Sequence, residues 1–207
     1  AVFRSRGIDA RIVPPSDEHT LELGAYYSAG DECLPTKITI GDYVKITRME
    51  GFDPAKTAFI MPTATGPCRF GQYRYLLRKV LDDMGLNEVP VVSPSSEDGY
   101  SSIGGADFFK AAWLSVIAAD IARKMLLKTR PYEKVKGTTN AVYEQSLAHL
   151  ENVIEREGVP FSRRLSALRE ALVAVRDDFR AIDAEYVRGK PLIAVIGEIF
   201  CRHNRFA

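Results

Sequence analysis

The stretch Ala58-Phe-Ile-Met-Pro-Thr-Ala-Thr-Gly-Pro-Cys-Arg-Phe-Gly71 decides how the chain is read. A short apolar run, Ala58–Met61, gives way to a loop of Thr, Gly and Pro. Gln72–Met84 then carries apolar residues at Tyr75, Leu76, Val80 and Leu81 before Gly85 stops the pattern. A run of four is strand-length and the spacing after it is helical, so the segment reads as strand, loop and helix. Comparable runs stand at Ala10–Val13, Val89–Val92 and Leu192–Ile196. Apolar runs that alternate with helical patterns predict parallel strands joined by crossovers. The expected fold is therefore α/β: a Rossmann-like, open, mainly parallel sheet with flanking helices. Within it, Pro35 suits the first turn of a helix running to about Glu50.

Beyond this unit the pattern turns helical. Ser93–Gly105 is rich in Ser and Gly and reads as a mobile surface loop. Ala106–Lys128 has apolar residues on most sides, among them Phe108, Trp113, Val116, Ile117 and Ile121, and is expected to be largely buried. Thr139–Glu157 carries Tyr143, Leu147, Leu150 and Ile154 at helical spacing, and Gly158-Val-Pro160 breaks it. Leu165, Leu168, Leu172, Val175, Phe179, Ile182 and Tyr186 then alternate by three and four, the seam of a long helical hairpin packed within the chain rather than between copies. The organisation that follows is an α/β unit over 1–105 carrying both cysteine loops, a helical segment over 106–190, and a returning strand over 191–207. Gly7 reads as the cap of a helix that ends there, with a strand from Ile8 to Val13 after it. The final apolar run would ordinarily lead into another helix. Both ends are thus expected to be cut from a longer domain.

The chain has 207 residues, 46% of them hydrophobic, enough for a sizeable core. Lys and Arg number 28 against 27 Asp and Glu, a net charge of +1 that gathers neither nucleic acid nor anionic lipid. No apolar run approaches the roughly 20 residues that span a bilayer, and the opening residues lack the pattern of a signal peptide. With three scattered cysteines and no disulfide framework, a cytoplasmic location is expected.

The candidate chemistry lies with the thiols. Cys33, in Gly30-Asp-Glu-Cys-Leu-Pro35, and Cys68, in Thr63-Ala-Thr-Gly-Pro-Cys-Arg-Phe-Gly71, each precede a predicted helix. Unsatisfied N–H groups and the helix dipole favour the thiolate there, the species that binds metal or attacks electrophiles. Gly66 and Gly71 would allow close backbone approach to a bulky group, and Pro67 and Arg69 shape the same loop. Cys201, near the end of the last apolar run, is a weaker candidate. The plain alternative is that each thiol is a packed apolar residue, since free cysteines are commonly buried and the spacing matches neither CxxC nor a zinc finger. Glu32 and Glu198 could act as acid or base if buried, and Arg69, Arg202 and Arg205 could hold phosphate or carboxylate. No P-loop, GxGxxG, GxSxG or HExxH is present.

Five segments, PPSDEHTLELG, GDECLPTKITIGD, MPTATGPCRFGQY, KTRPYE and VIGEIFCRHNRFA, together resemble the 2-hydroxyacyl-CoA dehydratase and dehydratase-activase-related family, from Ile8 to the end. The resemblance implies that Cys33 and Cys68 ligate a 4Fe-4S cluster, with Gly66, Pro67, Arg69 and Gly71 around it. It also implies an ATP-hydrolysing activase domain or subunit as the electron donor and an acyl-CoA thioester as a possible substrate. A third ligand would fall beyond this chain, and Cys201 stands where similar sequences carry an apolar residue. The nucleotide motifs of an activase are absent, so the chain is not expected to hydrolyse ATP by itself. Two rivals stay open: a docking domain that keeps its cysteines for structure, and a thiol redox protein if the two sulfurs lie within disulfide reach.

Overall fold

The structure is a computed structural model that describes residues 1–95, 97 and 103–206. The chain divides into two compact units, one of Ala1–Arg11 with Gly104–Leu192 and one of Ile12–Ile103 with Ile193–Ala207.

The second of these carries the cysteines. Its first helix, α1 (Glu18–Tyr26), starts where Asp17 accepts a hydrogen bond from the Thr20 N–H at 2.8 Å while the Thr20 hydroxyl reaches back to the Asp17 backbone. Helix α2 (Leu34–Thr47) follows with Cys33 as its N-cap and Pro35 in its first turn. The two helices meet through glycine: a Cβ on Gly24 would lie 1.8 Å from the Lys37 carbonyl oxygen, and one on Gly41 would lie 1.9 Å from that of Thr20.

Strand β1 (Phe59–Ile60), helix α3 (Tyr73–Asp83) and strand β2 (Val91–Val92) then form a βαβ unit with the strands parallel. Backbone bonds from Met61 to Val92 (2.9 Å) and from Thr63 to Pro94 (3.1 Å) carry the pairing past the strand ends. Leu23, Ile40, Val44, Phe59, Met61, Tyr73, Leu77, Val80, Leu81 and Val89 are the core of the unit. A short helix, α7 (Ile199–His203), belongs to the same unit.

The expected Rossmann-like open sheet is not the fold. Among the described residues the protein is mostly helical, and its sheet has two parallel strands. Neither Ile8–Val13 nor Leu192–Ile196 is a strand. The strands of a parallel sheet are covered on both faces, whereas Ile12 is 87% exposed and Leu192 and Ile196 are almost wholly so. Prolines at 14, 15 and 191, which have no N–H to donate, border both segments. Residues 96 and 98–102 of the expected Ser93–Gly105 loop lie outside the described residues.

The other unit packs α4 (Gly105–Thr129), α5 (Thr138–Glu155) and α6 (Phe161–Arg180) on one another. Phe108, Ala111, Ala118, Ala122 and Leu126 of α4, Leu150, Val153 and Ile154 of α5, and Leu168, Ala171, Val175 and Phe179 of α6 are buried as these helices pack. Helix α4 is not buried all round as expected: Phe109, Trp113, Val116 and Ile117 stand exposed, because small alanines make the face that packs. The α5–α6 hairpin forms, but its seam runs through Leu168, Ala171, Val175 and Phe179, with Leu165 exposed and α6 over before Ile182. Arg164, buried at the start of α6, donates to the carbonyls of Ile154 and Arg156 and so closes the C-terminus of α5. Residues from the beginning of the chain join this unit. Phe3 packs on Phe108 with ring centroids 4.8 Å apart, and the Arg4 guanidinium holds Glu155 at 2.6 Å and also Glu151.

Candidate functional site

Local sequence explains how the two thiols are presented. Cys33 takes an extended conformation as the N-cap of α2, and its carbonyl accepts from Thr36 and Lys37. Cys68 takes the same role for a 3-10 turn, Arg69–Gln72, that runs directly into α3. In the Cys68 loop, Gly66 has φ of 130°, a conformation that favours glycine. A Cβ on Gly71 would stand 2.5 Å from the Ala64 carbonyl oxygen, so the turn closes only around a residue without a side chain. Pro67 and Arg69 are exposed beside them.

The loops are joined by two contacts. Arg69 reaches from the Cys68 loop to the Asp31 carbonyl, two residues before Cys33. Tyr73, the first residue of α3, places its hydroxyl 3.1 Å from the Cys33 sulfur, and the Thr36 hydroxyl lies 3.1 Å from that sulfur on another side. Both cysteines are exposed thiols.

Electrostatics separates the three cysteines. Partial burial pushes the Cys33 thiol up, but hydrogen bonds from Thr36 and Tyr73 and from backbone N–H groups outweigh it and leave the thiol below its ordinary value. Tyr73 is pushed up to about 12, first by burial and then by its bond to Cys33, with the charges of Cys33 and Cys68 adding to the effect. Cys201 behaves oppositely. It sits in α7, where burial and the neighbouring Glu198 carboxylate raise its pKa and disfavour the thiolate.

The remaining candidates have structural duties. Glu32 accepts from the backbone N–H groups of Ala29 and Gly30, and Glu198 accepts from that of Cys201 at 2.9 Å. These bonds hold both carboxyls below their ordinary value, and both lie at the surface, so neither is a buried acid or base. Arg202 and Arg205 are exposed. Tyr73 and Thr36 escaped the sequence reading. The available signal was that Tyr73 shares a helical face with Leu77, Val80 and Leu81, which turns a hydroxyl inward behind the Cys68 loop.

No family model, curated protein or solved structure matches the chain. Among the described residues, no three His, Cys, Asp or Glu side chains gather as a metal site, and no helix is long and apolar enough to cross a membrane. Cys33 and Cys68 offer two exposed thiols on joined loops, and thiolate is the soft donor that an iron-sulfur site takes.

Proposed function

We propose that the chain is a cytoplasmic iron-sulfur domain of a 2-hydroxyacyl-CoA dehydratase-like or activase-linked protein. In this reading Cys33 and Cys68 supply two thiolates to a 4Fe-4S cluster, and the other ligands come from outside the chain. The observation that carries it is the joining of two exposed cysteine loops, Arg69 to Asp31 and Tyr73 to Cys33, with two hydroxyl groups within hydrogen-bond distance of the Cys33 sulfur. Thiolate sulfur is the donor such clusters take, and nearby O–H and N–H groups tune them. A bound cluster would supply one electron to an acyl thioester, the step by which a poorly activated hydroxyl is made to leave. The protein's own residues hold the two sulfurs in adjacent loops and present them at the surface, where an activase could deliver the electron.

Anaerobic reconstitution with iron, sulfide and glutathione as an external thiol tests this reading. Visible absorption and stoichiometric iron are expected; a colourless chain that retains no iron after desalting refutes it.

A second reading, a docking domain for an activase or partner subunit, is favoured by the exposed face of α4, where Phe109 and Trp113 stack with centroids 6.2 Å apart beside Val116 and Ile117. Binding of a purified activase that survives Cys33→Ser and Cys68→Ser but is lost on Trp113→Asp would select it.

A further inference from the structure

Tyr73 is 6% exposed, and its ring is fixed from several sides. Phe70 meets it edge-on with centroids 5.4 Å apart, and it belongs to the same core as Leu77, Val80 and Leu81. A ring held this way cannot swing its hydroxyl elsewhere without disturbing the core, so the O–H is committed in position before any ligand arrives. That position is 3.1 Å from the Cys33 sulfur, across 40 residues of sequence. The Thr36 hydroxyl, on a residue only 3% exposed, meets the same sulfur from the first turn of α2. A thiolate has no proton to give, so toward a ligating sulfur both hydroxyls must be donors. The two differ in what they connect. Thr36 belongs to the helix that Cys33 caps, whereas Tyr73 opens the helix behind the Cys68 loop.

We propose that Tyr73 is the positioning residue of the cysteine pair: its hydroxyl donates to the Cys33 sulfur, fixes the direction of that ligand toward the Cys68 loop and stabilises its negative charge. As far as it concerns a bound cluster, this rests on the iron-sulfur reading above. A hydrogen bond to a ligating sulfur favours the reduced, more negative state of a cluster. Tyr73 therefore acts on electron transfer without touching substrate. Cys68 lacks this donor in the same geometry, so the two thiols should respond differently when it is removed.

The test is Tyr73→Phe, which keeps the ring and its packing and deletes only the hydroxyl. In the iron-free full chain, iodoacetamide labelling is followed residue by residue by mass spectrometry at a pH where both thiols are ionised. An O–H donor quiets a thiolate, and nucleophilicity rises about threefold for each tenfold rise in basicity. Cys33 of the variant is expected to label roughly twofold to threefold faster, with the Cys68 rate unchanged. In the reconstituted chain, the fraction of cluster reduced at a fixed applied potential is expected to fall, read by electron paramagnetic resonance. Equal Cys33 rates in the two proteins, or an equal reduced fraction in loaded samples, would overturn the proposal. Wild-type protein that takes up no iron would sink the iron-sulfur reading alone, and the labelling rates would still decide the role of Tyr73.

Discussion

Cys33→Ser and Cys68→Ser each replace a soft sulfur by a harder oxygen that ionises far less readily, with little change in side-chain volume. Each is expected to abolish most iron incorporation in reconstitution while the far-ultraviolet circular dichroism stays unchanged. Cys201→Ser should leave iron uptake near that of the wild type, because Cys201 is occupied with Glu198. A second residue-scale expectation concerns two carboxyls around Lys45. Asp17 is lowered to about 2, first by its hydrogen bond from Lys45 and then by those from Thr20. Its folded pKa lies below the unfolded value near 3.9, so its contribution is present above that value and lost as the pH falls toward 2. Asp42 is raised by burial, against a bond from Ser16, and one of its oxygens is buried without a hydrogen-bond partner. Its folded form binds the proton more tightly, so its contribution is fully present at low pH and is lost as the pH rises through the raised value. Asp17→Asn should lower the melting temperature at neutral pH and Asp42→Asn should raise it. Melting curves between pH 2 and 7 should show both differences shrinking as the pH falls.

At the scale of elements, the α1–α2 contact depends on two missing side chains. In an open helix Gly→Ala gains up to about 1 kcal/mol. At Gly41 the added carbon would meet the Thr20 carbonyl oxygen at 1.9 Å, and overpacking of this kind costs about 3 kcal/mol. Gly41→Ala should therefore lower stability by roughly that amount in chemical denaturation. In the helical unit, Phe179→Ala should cost about 3–5 kcal/mol, since Phe179 is 4% exposed on the face of α6 that packs. The seam residue that periodicity would single out, Leu172, is only half-buried, and Val175 beside it is at 1% exposure. Periodicity found α3, α5 and α6 because each pairs an apolar stripe with a polar face, Pro35 marked the start of α2, the length of its apolar pattern marked α4, and the runs Ala58–Met61 and Val89–Val92 held β1 and β2. It failed where hydrophobicity alone had to report burial. Leu192–Ile196 is as apolar as a core strand and lies in water, while α4 packs through alanines and leaves its larger residues out. Helix α1 escaped the sequence reading, because its signal is the capping pair Asp17 and Thr20 and the internal Gly24 weakens it. The cysteine loops were legible from their helix-starting context, but Tyr73 was not, because a hydroxyl 40 residues from its partner leaves no local pattern.

For the whole molecule, the exposed run Leu192–Ile196 has a colloidal consequence. With a net charge of +1 the chain has little repulsion to keep copies apart, and an exposed apolar segment that pairs with no strand among the described residues is a template for strand addition between molecules. Val195→Lys puts a charge where the side chain is 69% exposed and packs against little. It should reduce light scattering at high concentration while leaving the melting temperature within about a degree, as surface changes usually do. The joining of Arg4 to Glu155 has another consequence, in the order of synthesis. The two partners lie 151 positions apart, so at about 5–20 residues per second Arg4 is synthesised roughly 8–30 s before Glu155. During that interval the βαβ stretch has already emerged and can close, while Phe3 waits in water for Phe108 and Arg4 for its carboxylates. Ala1–Arg11 are thus made early and seated late, and a nascent chain stalled before residue 151 would hold Arg4 without either of its carboxylates while the βαβ stretch is already complete.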